Sequence, residues 1–179
     1  MDCTVGSGGH SSAILKRIIP NGKLTGLDQD EEMLSLARER LKNYKKNLEL
    51  IQGNFSDLKK IISEKEGFAG ILYDLGLSLF QIRKKERGFS FLVDGPLDMR
   101  MNQRQNLTAE DVVNESSEEK LTQILKEYGE EYYAPRIVSA IIRGRKFSPI
   151  STTFQLKRIV TSAVPKRKKR IHPATKTFQ

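Results

Sequence analysis

Three observations predict an α/β fold built on a parallel sheet and followed by an all-helical part. Short strand-like runs alternate with helix-like runs through the first hundred residues, the pattern of repeated strand–helix–strand units. A glycine-rich stretch, Asp2-Cys3-Thr4-Val5-Gly6-Ser7-Gly8-Gly9-His10-Ser11, runs from the end of the first strand into the first helix. After Asp98 the strand signals stop, and apolar residues recur only at helical spacing.

The elements follow in order. Cys3, Thr4 and Val5 end a buried strand. Gly6, Gly8 and Gly9 let the backbone turn sharply and approach a ligand without Cβ clashes. A helix then starts near His10, with Ala13, Ile14 and Ile18 on one face. Leu24 to Asp28 form the second strand, and Asp30 caps a helix whose Met33, Leu34, Ala37 and Leu41 fall at helical spacing. Leu48 to Gln52 form the third strand and Gly70 to Asp74 the fourth, with Leu58, Ile61 and Ile62 marking a helix between them. In the helical part, Thr108 with Asp111 and Ser117 with Lys120 mark helix starts, the first in the manner of a capping box. Leu121, Ile124 and Leu125, then Ile137, Val138, Ile141 and Ile142, then Leu156, Ile159 and Val160, supply the apolar faces.

Composition narrows the function. A chain of 179 residues with 37% hydrophobic content buries one sizeable core, or one core and a small satellite. A formal charge of +9 favours a polyanionic partner. No apolar run approaches the length of a membrane span, so nucleic acid is the expected partner and a membrane is not. The single cysteine, Cys3, excludes an internal disulfide framework and agrees with a reducing compartment. His10 and His172 lack the companions of a metal site, and no metal is expected.

Asp28 follows Gly6 at about the 20-residue interval at which an acidic strand end meets a ribose. Ser11 stands where the third glycine of a dinucleotide loop would be. The loop therefore suits S-adenosyl-L-methionine, which has no pyrophosphate, at least as well as a dinucleotide. Asp74 sits where the fourth strand opens into the loop Asp74-Leu75-Gly76-Leu77-Ser78-Leu79-Phe80-Gln81. It is placed either to accept hydrogen bonds from an ammonium or target amine or to cap the next helix. Phe55, after the third strand, is either an adenine-stacking ring or a core aromatic. Basic runs at Lys42 to Lys46, Arg83 to Lys85, Arg143 to Lys146 and Lys166 to Arg170 are candidate RNA contacts, the last the most concentrated.

Six segments carry a family resemblance. Asp2 to Ser11, Gly26 to Asp30, Glu86-Arg87-Gly88-Phe89-Ser90-Phe91, Asp94-Gly95-Pro96-Leu97-Asp98-Met99-Arg100-Met101, Tyr128 to Glu131 and His172 to Gln179 together resemble the MraW-like small-subunit (16S) rRNA cytosine-N4 methyltransferase family, in order and through essentially the whole chain. The resemblance implies a Rossmann-like class I methyltransferase sheet with an inserted all-helical subdomain. Its divisions would be 1–101 as the first part of the cofactor domain, 102–170 as the helical insertion and 171–179 as the start of a return segment. It implies methyl transfer from S-adenosyl-L-methionine to the exocyclic amine of one cytidine in the decoding region of small-subunit ribosomal RNA. The partner would be that RNA or the small ribosomal subunit, in bacterial cytoplasm or alternatively a mitochondrion.

Carried across by position, Gly8, Gly9 and His10 would line the cofactor's aminoacyl side, Asp28 its ribose and Phe55 its adenine, and Asp74 and Gln81 would complete the pocket. Asp74 is the catalytic candidate. Leu79 stands where the family commonly has a second serine after Ser78. Relative to the family the chain is expected to be truncated at both ends. An inactive RNA-binding fragment is the alternative reading. A nicotinamide-dependent oxidoreductase would use the same Gly6 to Asp28 geometry, but Glu86 to Met101 gives it no support.

Overall fold

The computed structural model describes residues 1–62, 67–165 and 171–179. The chain forms two compact units. The first comprises Met1–Gly76 with Met101–Arg104, and the second Leu77–Arg100 with Gln105–Gln179.

In the first unit, β1 (Leu24–Asp28) and β2 (Leu48–Gln52) pair in parallel, Leu24 opposite Leu48 and Asp28 opposite Gln52. The predicted first and fourth strands are present as shorter parallel segments. Asp2 bridges Gly26 on one side and Leu72 on the other. Its N–H donates to Thr25 O at 2.9 Å and its carbonyl accepts from Leu27 at 2.8 Å, while Cys3 N–H donates to Leu72 O at 2.9 Å. Numbered by chain position, the backbones lie in the order third, second, first, fourth, the Rossmann arrangement.

Helix α1 (Gly9–Ile18) follows the first segment, and α2 (Glu31–Arg40) follows β1. Asp30 caps α2 as expected, its carboxylate accepting from Glu32 N at 3.0 Å. One core joins Val5, Leu15, Leu24, Ala37 and Leu41. Another joins Met1, Cys3 and Leu27, with Leu58, Ile61, Ile62 and Phe68 packed against it. Leu24 and Leu27 serve different cores because side chains alternate across a strand. The third predicted helix is only one turn, α3 (Leu58–Ile61).

The second unit contains α4 (Leu79–Arg83), α5 (Ala109–Glu115), α6 (Glu118–Glu127), α7 (Ala134–Arg145) and α8 (Thr153–Ala163). Thr108 and Asp111 form the expected capping box of α5, and Ser117 caps α6 by accepting from Lys120 N. A further box, Thr152 with Gln155, starts α8. Leu121, Leu125, Ile137, Val138, Ile141, Leu156 and Val160 are buried together, with Leu97, Ala174 and Phe178 in the same core. The Leu77–Arg100 loops and the described part of the chain end therefore pack with the helices as one body.

The arginine positions between Glu86 and Met101 have local physical reasons. Buried Arg87 donates to Arg100 O at 2.8 Å, while Met99 N–H donates to Arg87 O at 2.9 Å. Arg100 grips Asp98 with Nε at 3.0 Å and Nη2 at 2.6 Å. Asp98 is partly buried, which opposes ionisation, but its hydrogen bonds and charge contact with Arg100 hold the carboxyl below its usual range.

Candidate functional site

The site candidates of the first unit gather at the carboxyl ends of its parallel backbones, where ligands bind in open α/β folds. Gly6 and Gly8 adopt left-handed backbone, φ +53° and +84°. Gly8 also sits so close to buried Leu41 that a Cβ would lie 3.1 Å from its Cδ1. This position needs glycine for both reasons. Gly9 opens α1 with an exposed backbone, and Ser7 Oγ accepts from Arg40 Nη1 at 3.2 Å.

Asp28 ends β1 beside this loop. Its Oδ2 accepts from Gly6 N at 2.7 Å and its Oδ1 from Asp30 N at 2.9 Å, so the carboxylate is fixed by two backbone donors. Burial pushes its pKa above the usual carboxylate value, and the charges of Asp30 and Asp2 add to the rise, although the two backbone hydrogen bonds oppose it. Each oxygen keeps lone-pair capacity for a ribose hydroxyl.

Ser11 has a definite task where a dinucleotide loop would have glycine. Its hydroxyl donates to Asp2 Oδ2 at 2.6 Å, both residues being fully buried, and Thr4 N–H donates to Asp2 Oδ1 at 3.2 Å. The serine thus satisfies a buried carboxylate beneath the loop.

Asp74 lies beside the same loop: its N–H donates to Thr4 Oγ1 at 2.7 Å, and its Oδ2 is 3.4 Å from His10 Nδ1. Both side chains of this pair are more than three-fifths exposed. Phe55 is partly exposed and meets Tyr73 edge-on, with ring centroids 5.7 Å apart. Sequence reasoning missed Tyr73, though its place directly before Asp74 was a usable signal. A hydrogen bond with Cys3, reinforced by burial, pushes the Tyr73 hydroxyl above its usual range.

Gln81 belongs to the second unit. There it is buried and completes a capping box at the start of α4: its Oε1 accepts from Ser78 N at 2.9 Å, and Ser78 Oγ accepts from Gln81 N at 3.2 Å. Leu79, at the first position of that helix, is exposed. Among the basic runs, Arg145 is structural, since its Nη1 donates to Val113 O and Ser116 O at 2.8 Å. Lys42 pairs with Glu39 at 2.7 Å. The Lys166 to Arg170 run lies outside the described residues. Among the described residues no cluster of His, Cys, Asp or Glu could hold a metal ion, and no helix is long and apolar enough to cross a membrane.

A Rossmann-ordered sheet with a glycine turn before its first helix and an acidic end on the adjoining strand defines an α/β protein of the Rossmann-like class. The chain belongs to the MraW methylase family, whose model matches residues 1–179. It is 45% identical over 182 residues to the ribosomal RNA small subunit methyltransferase H of Clostridium botulinum (strain Kyoto / Type A2), covering 100% of this chain and 59% of that protein. The proteins of that name from Geobacter sulfurreducens and Mycoplasma capricolum are 45% and 46% identical, again over 100% of this chain and 59% of theirs. The chain spans about three-fifths of the length of these curated relatives.

Proposed function

We propose that this chain is part of an S-adenosyl-L-methionine-dependent methyltransferase that modifies the N4 amine of a cytidine in the decoding region of small-subunit ribosomal RNA. The observation that carries the reading is the loop itself. A left-handed glycine turn faces a carboxylate fixed by Gly6 and Asp30, while Ser11 is committed to Asp2 in place of the third glycine. That arrangement fits a ribose and an aminoacyl tail. The relatives' name, ribosomal RNA small subunit methyltransferase H, supports the substrate class, and the charge of +9 supports a nucleic-acid partner.

In this reading Gly8, Gly9 and His10 line the aminoacyl side, Asp28 takes the ribose hydroxyls and Phe55 stacks on the adenine. Residues 1–101 are the first part of the cofactor domain, 102–170 an inserted helical subdomain and 171–179 the beginning of the return. Gln81 fixes the start of α4 through its bonds to Ser78 and completes the cofactor pocket. The bound cofactor supplies a methyl group already activated on a sulfonium. The chain then has to hold the amine nitrogen in line at roughly 3–3.5 Å and receive the proton that the nitrogen sheds. Cytosine's amine is a poor nucleophile because its lone pair is delocalised into the ring. Asp74 accepts a hydrogen bond from it, localises the lone pair and takes the proton, and His10 at 3.4 Å anchors the carboxylate. The target base must leave its stack to reach this group, at a cost of a few kcal/mol.

The test is to incubate the chain with methyl-labelled cofactor and unmodified small subunits, digest the RNA and analyse its nucleosides. Label in N4-methylcytidine supports the proposal, and label in any other nucleoside contradicts it.

A further inference from the structure

The chain's charge is divided along its length. Residues 132–179 contain 12 Lys and Arg and no Asp or Glu, which leaves 19 basic against all 22 acidic residues in 1–131. The last 48 residues thus carry +12 while the rest carries −3. A stretch of this kind is held together against its own repulsion only at a cost, and it marks where a polyanion binds.

Residues of that basic stretch join Phe91 in an aromatic stack of the second unit that neither the proposed cofactor site nor the proposed target chemistry uses. His172 stacks on Phe91, with ring centroids 4.7 Å apart and planes 29° from parallel. Phe91 is backed edge-on by buried Phe178 at 5.2 Å. Lys157 Nζ lies 5.7 Å from the Phe91 ring centre and 5.0 Å from that of Phe154. His172 Nδ1 accepts from Ala174 N at 3.1 Å, which fixes the ring. Phe91 packs against the core, but His172 is exposed, so one ring face is covered and the other is open. Next to Phe91, Leu92 and Val93 are 75% and 51% exposed. Here a fixed aromatic face, exposed apolar neighbours and an adjacent cation come together, with Asp94 engaged by the backbone of Phe154. Unpaired nucleotides are bound by such a combination, since every base has a π-face to stack and a phosphate to neutralise.

We propose that His172, backed by Phe91 and flanked by Lys157, is a stacking platform for an unpaired base of the RNA substrate. The proposal rests on the reading of RNA as partner and assigns these residues a positioning role. A strand gripped here is held while its target nucleotide is extruded.

The experiment titrates the full chain with a short fluorescein-labelled single-stranded RNA, and with the duplex of the same sequence, by fluorescence anisotropy at several salt concentrations. His172→Ala is expected to weaken single-strand binding by about tenfold, within the range of base–aromatic stacking, with an unchanged salt slope and little effect on the duplex. His172→Phe also loses the bond to Ala174 but keeps a stacking face, and it should bind within about twofold of the parent. Lys157→Ala should reduce the salt slope by about one ion. Unchanged single-strand affinity in His172→Ala, equal losses on single strand and duplex, or a His172→Phe variant as weak as His172→Ala would each overturn the platform alone. A folded parent chain that bound no RNA would overturn the RNA reading with it, while cofactor binding, measured separately, would stand.

Discussion

Replacing Gly8 by alanine tests together the two reasons for a glycine in the loop before α1. Its φ of +84° places an L-residue in left-handed backbone, which costs about 1–2 kcal/mol. The new Cβ would lie 3.1 Å from Leu41 Cδ1 and 3.4 Å from Ala37 Cα, and neither residue has any exposed surface into which to retreat. Crowding of that kind adds about 1–2 kcal/mol. Gly8→Ala should therefore lose about 2–4 kcal/mol in urea unfolding followed by circular dichroism, and roughly 4–16 °C in Tm for a chain of this size. Gly9→Ala is the control. Its Cβ meets only Arg40 Nη1 at 3.7 Å, and alanine suits the first helical position, so its stability should stay within about 0.5 kcal/mol of the parent. If Gly9 carries the cofactor's tail, this stable variant nevertheless binds S-adenosyl-L-methionine more weakly. A Gly8→Ala protein as stable as Gly9→Ala would refute the geometric reasoning.

Other perturbations probe the supports of the site. Ser11→Ala removes a donor from the buried Asp2 carboxylate and should cost about 1–3 kcal/mol in the same unfolding assay; a neutral result would mean that the 2.6 Å bond is not what satisfies Asp2. Asp98 has its pKa lowered in the folded chain, so its contribution is complete above the unfolded value near 3.8 and is lost as pH falls through the lower folded value. Asp98→Asn should lose about 3 kcal/mol at neutral pH and flatten the acid limb of a melting-temperature profile, whereas an unchanged limb would remove Asp98 from the acid sensitivity. Asp74→Asn should lower methyl-transfer turnover by about 100-fold or more, with a much smaller change in cofactor affinity. Equal losses in both would make it a binding residue.

Much of the first unit was legible because its signals are local. The glycine turn, Asp28, the Asp30 cap and the apolar spacing of α2 each depend on a few neighbouring residues. The outer strands were harder to size, since their pairing rests on single bridges from Asp2 to Gly26 and Leu72, partners far apart in sequence. Leu58, Ile61 and Ile62 mark a helix in the sequence, and the chain forms a single turn there, α3, that packs them against Leu27. The pairing of Ser11 with Asp2 was illegible because its meaning depends on the fold burying both. Tyr73 escaped notice because strand ends offer no periodicity from which to predict an edge-on partner for Phe55. In the second unit the capping residues and helix faces were plain. The capping bond of Gln81 to Ser78 was not read, since nothing in the loop before α4 marked where that helix begins. The acid-free stretch from 132 onward was visible in the sequence but required counting charge along the chain rather than in runs.

The central claim is tested most directly by titrating the chain with S-adenosyl-L-methionine in a calorimeter, beside Asp28→Ala. The account predicts saturable binding that Asp28→Ala weakens by at least about tenfold, roughly 1.4 kcal/mol. It also predicts that affinity falls on acidification through an Asp28 pKa lying above 3.8, because the ribose hydroxyls need the ionised carboxylate as acceptor. A folded chain that does not bind, or one whose affinity Asp28→Ala leaves unchanged, would contradict it.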